Sequence, residues 1–199
     1  MTEILDADPS VDPFELFDRW LQEAWSAEKV NANAMTVASV DAEGRPSARI
    51  VLLKDRDHGF VFYTNFESHK GGELLAQTEA ALCFYWRTLA RQVRIDGAVE
   101  VVSDKMADAY FATRPRDSQV GAWASAQSRR LESRERLEQK VVEYDKKFGD
   151  GPVPRPPHWS GFRVVPRRIE FWSEQPFRLH DRVVYERHGE EWRCQRLYP

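Results

Sequence analysis

Tight turns between short apolar runs decide which fold classes this chain can adopt. The run Met35–Val40 ends at the turn-forming residues Asp41–Gly44, and the run Ala48–Lys54 ends at Asp55–Gly59, directly before Phe60. Apolar runs of this length are typical of β-strands, and Gly and Asp are typical of the turns between them. Because a tight turn reverses the chain, consecutive strands of this kind predict an antiparallel sheet.

Further strands and helices follow from the same patterns. We predict strands at 35–40, 48–54, 60–64, 81–86, 92–102, 161–165, 168–172, 183–187 and 191–197, and helices at 70–77, 104–112, 118–124 and 131–147. A first helix is expected after Asp12, an N-cap followed by Pro13 in the first turn and by Glu15. The number of strands favours a mainly β (α+β) protein, a barrel with peripheral helices.

The first helix is expected to pack onto the barrel through one apolar stripe. Phe14, Phe17, Leu21 and Trp25 recur at helical spacing and form that stripe. We interpret residues 1–11 as a short N-terminal tail and residues 12–199 as a single domain with a helical segment at about 104–147.

Charge and cysteine content exclude several functional classes. The chain has 29 Lys and Arg against 32 Asp and Glu, a net charge of −3, which gives no support to nucleic-acid or membrane-surface binding. No apolar run reaches transmembrane length, and the N-terminus lacks the features of a signal peptide. Cys83 and Cys194 have no metal-ligand spacing. We therefore expect a cytoplasmic protein without a metal site.

Residues 114–128 combine features of an anion site. They read Arg-Pro-Arg-Asp-Ser-Gln-Val-Gly-Ala-Trp-Ala-Ser-Ala-Gln-Ser. With Asp117 as the N-cap of a short helix, Arg114, the Ser118 hydroxyl and the free N–H groups of that helix surround one small volume, which suits a phosphate. The alternative is that Arg114 and Arg116 pair on the surface with nearby acids, namely Asp104, Asp108 and Asp117.

The same run resembles the signature of the pyridoxine (pyridoxamine) 5′-phosphate oxidase family. Six further segments match that family in order: Arg49–Lys54, Phe62–Asn65, Arg91–Val93, Gly161–Val164, Ile169–Trp172 and Arg178–Arg182. The resemblance extends from about Phe14 to the C-terminus. It implies the FMN-binding split barrel, an antiparallel Greek-key barrel that forms a homodimer with its sites at the subunit interface.

The resemblance also implies an FMN site. Arg49 and Lys70 would bind the FMN phosphate, the backbone of residues 50–53 would run along the isoalloxazine ring, and Gln92 would contact a polar edge of that ring. The chain has no GxGxxG or GxxxxGK[ST] motif, so a nucleotide must be held by separate side chains. The matching positions are Arg49, Ile50, Val51, Leu52, Leu53, Lys54, Tyr63, Thr64, His69, Lys70, Gln92, Gln127, Ser128, Trp172 and Arg182.

A second set of positions matches the substrate site of the family. The residues that would hold a substrate phosphate are Lys54, Tyr110, Arg114 and Ser118. Arg178 and His180 would contact the pyridine ring and form the catalytic pair, and Leu179 between them also belongs to the substrate set. Tyr110 and Arg114 are four residues apart at a helix end and therefore share a face. In an extended strand, Arg178, His180 and Arg182 would also share a face.

The implied reaction is the FMN-dependent oxidation of pyridoxine or pyridoxamine 5′-phosphate to pyridoxal 5′-phosphate, a step of vitamin B6 metabolism. O2 would accept the electrons and H2O2 would be released. Two alternatives stay open: a related split-barrel flavin oxidase with another substrate, such as a phenazine precursor, and a non-catalytic flavin- or phospholigand-binding protein. A nucleic-acid-binding barrel is a third class, disfavoured by the balanced charge.

Two departures from the family pattern affect these expectations. Relatives often have an N-terminal Arg-x-x-Tyr arm over the substrate, and residues 1–11 contain neither Arg nor Tyr, so we expect a shortened or different lid. Relatives also often carry Ser-Arg-Lys where this chain has Ser68-His69-Lys70. That difference places a titratable group where the family has a permanent cation.

We predict from His69 that FMN binding weakens as pH rises through the range in which histidine loses its proton. A neutral imidazole no longer attracts the phosphate dianion. Flavin titration of the wild type and of His69→Arg across that range measures the effect. The arginine variant should bind FMN with little pH dependence, and the same pH dependence in both proteins would contradict the prediction.

Overall fold

The computed structural model describes residue 8 and residues 10–199. Most of the predicted N-terminal tail, residues 1–7 and 9, therefore lies outside the described residues. No helix in the described part is both long enough and apolar enough to cross a membrane.

Nine strands in the described part of the chain form one sheet. They are β1 (Ala34–Val40), β2 (Pro46–Leu52), β3 (Asp55–Arg56), β4 (Phe60–Asn65), β5 (Glu79–Trp86), β6 (Arg91–Val101), β7 (Trp159–Ser173), β8 (Asp181–His188) and β9 (Glu191–Arg196). The strand order is β2-β1-β5-β6-β7-β4-β3, with β8 paired to β7 and β9 paired to β8. All of these pairings are antiparallel, as predicted.

Five helices accompany the sheet in the described residues. They are α1 (Pro13–Ala27), α2 (His69–Ala76), α3 (Asp104–Thr113), α4 (Arg116–Ala124) and α5 (Arg134–Phe148), and a 3₁₀ turn covers Pro176–Arg178. Three of them, α3 to α5, occupy the segment between β6 and β7. Along the sequence, a helical segment thus separates β6 and β7, two strands that pair with each other in the sheet.

Strand β7 is one continuous strand, although the sequence predicted two, at 161–165 and 168–172. It pairs with β6 along its length, with β4 through its first half and with β8 through its second half. Opposite Asp96 and Gly97 the register shifts, because Arg168 and Pro166 are their partners and Arg167 is the extra residue. A β-bulge of this kind bends a strand without ending it, so the two-strand prediction was wrong.

Helix α1 begins as predicted, and Phe17, Phe14 and Leu21 of the predicted stripe pack against the core, but Trp25 does not. The Asp12 carboxylate accepts hydrogen bonds from the backbone N–H groups of residues 14 and 15, at 2.6 and 3.4 Å. The buried residues are Pro13, Leu16, Phe17, Trp20 and Ala24. Trp25, predicted to be buried, is 49% exposed, because Trp20 instead occupies the core, with its ring centroid 5.2 Å from that of Phe171.

A second apolar cluster fixes the helical segment on the sheet. Phe111, Val120, Val153 and Trp159 are buried together and join α3 and α4 to the start of β7. Between the two helices, Arg114 and Pro115 are extended, with ψ of 147° and 142°. A residue before proline avoids the helical region, which ends α3 at this point. Helix α4 consequently begins at Arg116, so the prediction of Asp117 as its N-cap was wrong.

We predict that Gly97→Ala lowers the free energy of unfolding by about 1–3 kcal/mol. A Cβ at Gly97 would overlap the Val165 carbonyl oxygen and lie 2.8 Å from its carbonyl carbon. Gly72→Ala is the matched control, since a Cβ there meets nothing within 4 Å and alanine favours the helix. Urea denaturation of both variants measures the difference, and equal stabilities would contradict the bulge geometry.

Candidate functional site

A cavity of about 720 Å³ lies between β2, β4, the start of α2 and the α3–α4 corner. It collects many of the predicted site residues: Ile50, Val51, Leu52, Lys54, Tyr63, Thr64, Lys70, Tyr110, Arg114, Ser118 and Gln127. These residues come from both predicted sets, the cofactor set and the substrate set. The fold therefore brings most of the two sets to a single cavity.

Lys70 is the centre of a polar group on one side of the cavity. Its Nζ donates to Thr64 Oγ1 at 2.9 Å and to Gln127 Oε1 at 3.0 Å. The Ser68 hydroxyl caps α2 by accepting from the Gly71 backbone N–H, which places Lys70 in the first turn of that helix. Burial, together with the nearby Arg49 charge, lowers the pKa of Lys70 below its ordinary value. Three predicted phosphate-binding residues thus converge without an acidic partner bonded to the lysine.

Arg49 lies beside this group and is held by a buried carboxylate. Its Nη2 is 3.2 Å from Glu73 Oε2, and its Nη1 donates to Ser39 Oγ at 2.5 Å. Burial opposes the charge of Glu73, but hydrogen bonds from Ser39 and Ser47 and the charges of His69 and Arg49 lower its pKa below the ordinary value. The Arg49 guanidinium does not line the cavity and points toward this network instead.

Arg114 occupies the α3–α4 side of the cavity and has a different environment. Its Nη1 is buried and has no hydrogen-bond partner among the described residues. The guanidinium carbon lies 4.7 Å from the centroid of the Trp159 ring and 5.4 Å from that of Phe111. Burial lowers the pKa of Arg114 below its ordinary value. A half-buried cation with an unused donor is suited to bind an anion.

The alternative in which Arg114 and Arg116 pair with surface acids does not hold for the predicted pairs. Asp104 and Asp108 bond to Arg155 instead, at 2.7 and 2.5 Å. Arg116 pairs with Asp145, at 3.1 Å, and bonds to backbone carbonyls after α5. Arg116 therefore joins α4 to the end of α5, and Arg114 alone of the two arginines faces the cavity.

Tyrosine rings form an aromatic wall next to Arg114. The rings of Tyr63 and Tyr110 stack with centroids 4.1 Å apart, and that of Tyr63 also stacks on Trp159 at 5.3 Å. Burial, with further contributions from Asp55 and Tyr110, raises the pKa of Tyr63 to about 12. The Tyr63 hydroxyl therefore stays protonated and neutral at physiological pH.

A separate group of predicted residues lies at the other end of β7. Gln92, Trp172 and Arg182 are cross-strand neighbours on β6, β7 and β8, and the His180 ring lies 4.8 Å from that of Trp172. None of the four lines the cavity described above. Arg182 bonds to Glu170, with its Nε 2.8 Å from Oε1.

The expectation that Arg178, His180 and Arg182 share one face, as they would in an extended strand, was wrong. Arg178 ends a 3₁₀ turn in which Phe177 and Arg178 have positive φ, 60° and 62°, and β8 begins only at Asp181. Arg178, His180 and Arg182 consequently do not share a strand face. Arg178 and Leu179 are exposed, and the His180 Nδ1 accepts from the Gln175 backbone N–H at 3.3 Å.

Three further predicted residues lie elsewhere. Leu53 is in the main core and 6% exposed. His69 and Ser128 line a second cavity of about 600 Å³ on the outer side of α2. The His69 side chain is largely exposed, with its Nε2 3.5 Å from Glu73 Oε1. Among the described residues, no group of three or more His, Cys, Asp or Glu side chains could hold a metal ion.

Sequence reasoning missed several residues of this site. Trp159, Asn65 and Ser125 line the cavity, and buried Glu73 organises Arg49. A signal for Trp159 was present, because it lies two residues before the Gly161–Val164 segment that matches the family. For Glu73 the only local signal is its position three residues after Lys70, which does not distinguish a buried acid from a surface one.

Comparison with known families decides the relationship. A model described as pyridoxamine 5′-phosphate oxidase matches residues 21–148, and one described as the pyridoxine 5′-phosphate oxidase C-terminal dimerisation region matches residues 159–199. The chain belongs to the pyridoxamine 5′-phosphate oxidase family. The predicted membership is confirmed.

Individual relatives agree with this membership. The pyridoxine/pyridoxamine 5′-phosphate oxidase of Rhodospirillum rubrum is 58% identical over 194 residues, which cover 94% of this chain and 96% of that protein. The oxidase of the same name from Mesorhizobium japonicum is 57% identical over 100% of this chain and 98% of that protein. The prediction of an oxidase of this family is thereby confirmed as well.

Solved structures confirm the predicted split-barrel fold. PhzG from Burkholderia lata 383, in complex with tetrahydrophenazine-1-carboxylic acid, has a TM-score of 0.92 and 32% identity, covering 100% of this chain and 99% of that one. A pyridoxamine 5′-phosphate oxidase-related, FMN binding protein from Nostoc punctiforme shares the fold, with a TM-score of 0.76 and 17% identity, covering 96% of this chain and 100% of that one.

We predict that Glu73→Gln lowers the free energy of unfolding at neutral pH by about 2 kcal/mol, because the amide loses charge-assisted hydrogen bonds. A carboxylate with a lowered pKa stabilises the fold above its ordinary pKa and loses that contribution as pH falls. The difference between wild type and variant should therefore shrink in acid. Urea denaturation at neutral pH and at acid pH measures this difference in the free energy of unfolding, with the exposed Glu67→Gln as the control. A pH-independent difference would contradict the assignment.

Proposed function

We propose that this chain oxidises pyridoxine or pyridoxamine 5′-phosphate to pyridoxal 5′-phosphate, with FMN as cofactor and O2 as electron acceptor. The observation that carries the proposal is the pairing of two cationic groups in one cavity. Lys70 is bonded to neutral side chains on one side, and Arg114 has an unused buried donor on the other. Two phosphorylated ligands need two such groups, and the names of the relatives agree with this substrate class.

The residues of the cavity fit FMN. Lys70, Thr64 and Gln127 provide a lysine, a hydroxyl and an amide for a phosphate, a donor set typical of phosphate sites. Ile50–Leu52 of β2 line the cavity beside them, and the Ile50 side chain is 64% exposed. An exposed apolar side chain on a cavity wall suits a flat ring. This proposal assigns to FMN the residues of the sequence-predicted cofactor set that line the cavity, whereas Arg49, Leu53, His69 and Ser128 lie outside it.

The chain's own residues would bind and orient the substrate. FMN, when bound, would supply two-electron redox chemistry, with O2 reduced to H2O2 as C4′ of the substrate is oxidised; with the amine substrate, water is also taken up and ammonia released. Arg114 and Ser118 would hold the substrate phosphate, with Lys54 and Tyr110 beside them on the cavity wall. The stacked tyrosine rings would exclude water from one side of the reacting carbon. Holding two reactants in register is the main contribution expected of the protein.

A homodimer accounts for the second group of predicted residues. Gln92, Trp172, His180 and Arg182 lie outside the cavity of their own chain, and residues 159–199 match a dimerisation region. We propose that a second copy brings Arg178 and His180 against the substrate ring. The exposure of Arg178 and Leu179 in the single chain supports this arrangement.

A second candidate is a flavin oxidase that acts on a phenazine precursor, because the PhzG structure is so similar. The unpaired Arg114 favours a phosphorylated substrate over it. To separate the two, the purified protein is loaded with FMN and mixed in air with pyridoxamine 5′-phosphate or with a dihydrophenazine carboxylic acid, while aldehyde and peroxide are followed. Turnover of the phenazine compound alone would contradict the proposal.

We predict that two matched variants separate the two phosphate sites. Lys70→Gln should weaken FMN binding about 10- to 100-fold, since it removes a charge-assisted contact. Arg114→Gln should raise the KM for pyridoxamine 5′-phosphate by a similar factor and leave FMN affinity unchanged. Flavin fluorescence titration and steady-state kinetics measure the two effects. If Arg114→Gln weakens FMN binding and Lys70→Gln does not, the two phosphate sites are the reverse of those proposed.

A further inference from the structure

Trp159 has no role in the proposed chemistry, yet it contacts the residue on which phosphate recognition depends. It begins β7, is 6% exposed, and lines the cavity. Its ring lies parallel to those of Tyr63 and Tyr110, at interplanar angles of 5° and 8°. The Arg114 guanidinium carbon lies 4.7 Å from the Trp159 ring centroid.

A partly buried guanidinium needs compensation for the water that it has lost. Arg114 Nη1 has no hydrogen-bond partner among residue 8 and residues 10–199, and burial lowers the pKa of the side chain. Aromatic faces carry partial negative charge and attract cations within about 6 Å, indole most strongly. Trp159 and Phe111 are both within that distance of Arg114. The ring faces therefore take the place that a carboxylate usually has.

The two α3 acids that the sequence offered as partners for Arg114 are bonded to a different arginine. Asp104 and Asp108 of α3 both bond to Arg155, at 2.7 and 2.5 Å. Arg155 Nη1 also donates to the Trp159 backbone carbonyl at 2.8 Å. The Arg155 side chain thus bonds to both acids and to the backbone that carries the Trp159 indole.

Gly161 allows the aromatic stack to form against the sheet. It is the cross-strand partner of Tyr63, and a Cβ at Gly161 would lie 2.8 Å from atoms of the Tyr63 ring. Without that side chain, the Tyr63 ring lies flat over the strand and parallel to Trp159. The geometry of β4 and β7 therefore sets the plane on which Arg114 rests.

We propose that Trp159 is a positioning residue for phosphate recognition: its indole face holds Arg114 in place of a carboxylate, so that the guanidinium keeps its charge for the substrate phosphate. This inference rests on the proposed function. A carboxylate partner would compete with the incoming dianion, whereas a ring face stays in place when the phosphate binds. Trp159 thereby contributes to the preference for phosphorylated substrates.

Kinetics of three variants test the proposal. Trp159→Leu removes the ring, Trp159→Phe keeps a smaller one, and Trp192→Leu is the control, since its indole also faces an arginine, Arg187, but lies on β9 outside the cavity. We expect Trp159→Leu to raise the KM for pyridoxamine 5′-phosphate about tenfold, with kcat within about twofold of wild type. The KM of Trp159→Phe should lie between those of wild type and Trp159→Leu, and the KM of Trp192→Leu should match that of wild type.

A second measurement does not depend on turnover. Calorimetric titration of each FMN-loaded protein with inorganic phosphate should show the same weakening as KM, while FMN affinity stays at the wild-type value. If Trp159 only supports the fold, its substitution would weaken the binding of FMN and of phosphate together, and that result would overturn the proposal. An unchanged KM and an unchanged phosphate affinity in Trp159→Leu would overturn it as well.

Two further results, a variant that does not fold and a wild type without activity, also have a defined meaning. If Trp159→Leu does not fold, Trp159→Phe decides, with at least a twofold and phosphate-specific loss supporting the proposal and no loss overturning it. If the wild type does not oxidise pyridoxamine 5′-phosphate, the proposed function fails, and the phosphate titrations still report on Trp159 separately.

Discussion

The bent pairing of β7 with three other strands is the constraint on which this structure depends. β7 pairs with β6 along its length, with β4 before the bulge and with β8 after it. Because the close approach at Gly97 leaves no room for a Cβ, the backbones of β6 and β7 meet directly at the bend. The same strand then carries Trp159 into the cavity at one end and Trp172 to the separate group at the other.

Arginines among the predicted site residues have two kinds of partner. Arg49 is bonded to buried Glu73, and Arg182 is bonded to buried Glu170. Burial opposes the charge of Glu170, but hydrogen bonds from Arg168 and Arg182 lower its pKa below the ordinary value. Arg114 instead rests on aromatic rings and keeps an unused donor. Buried carboxylates thus fix Arg49 and Arg182, whereas Arg114 keeps a donor for an incoming anion.

Much of the fold could be predicted from sequence because its signals are local. Turn residues such as Asp41–Gly44 and the N-cap at Asp12 fix the direction of the chain within a few residues, and both are found in the structure. The continuous strand β7 was not predictable, since Pro166 and Arg167 resemble a break until the partner β6 is known. The burial of Trp20 rather than Trp25 on α1 likewise depends on Phe171, which is distant in sequence.

The site was predictable where it coincides with contiguous motifs. The sequence motifs that contain Ile50–Leu52, Arg114 and Ser118 were recognised directly, and these residues line the cavity. Trp159 and Glu73 could not be recognised in this way, because their partners come near only in the fold. The expected shared face of Arg178, His180 and Arg182 is not formed, because a 3₁₀ turn at Pro176–Arg178 interrupts the extended backbone. The turn's two positive φ values have no local sequence signal, since neither residue there is glycine.

The central claim is that one cavity holds a flavin and a phosphorylated pyridine compound through two separate cationic groups. A crystal structure of the protein with FMN and pyridoxal 5′-phosphate tests it most directly. The account predicts the FMN phosphate at Lys70 and Thr64, and the second phosphate at Arg114 and Ser118. Arg114 turned into bulk water, with the second phosphate bound elsewhere, would contradict it.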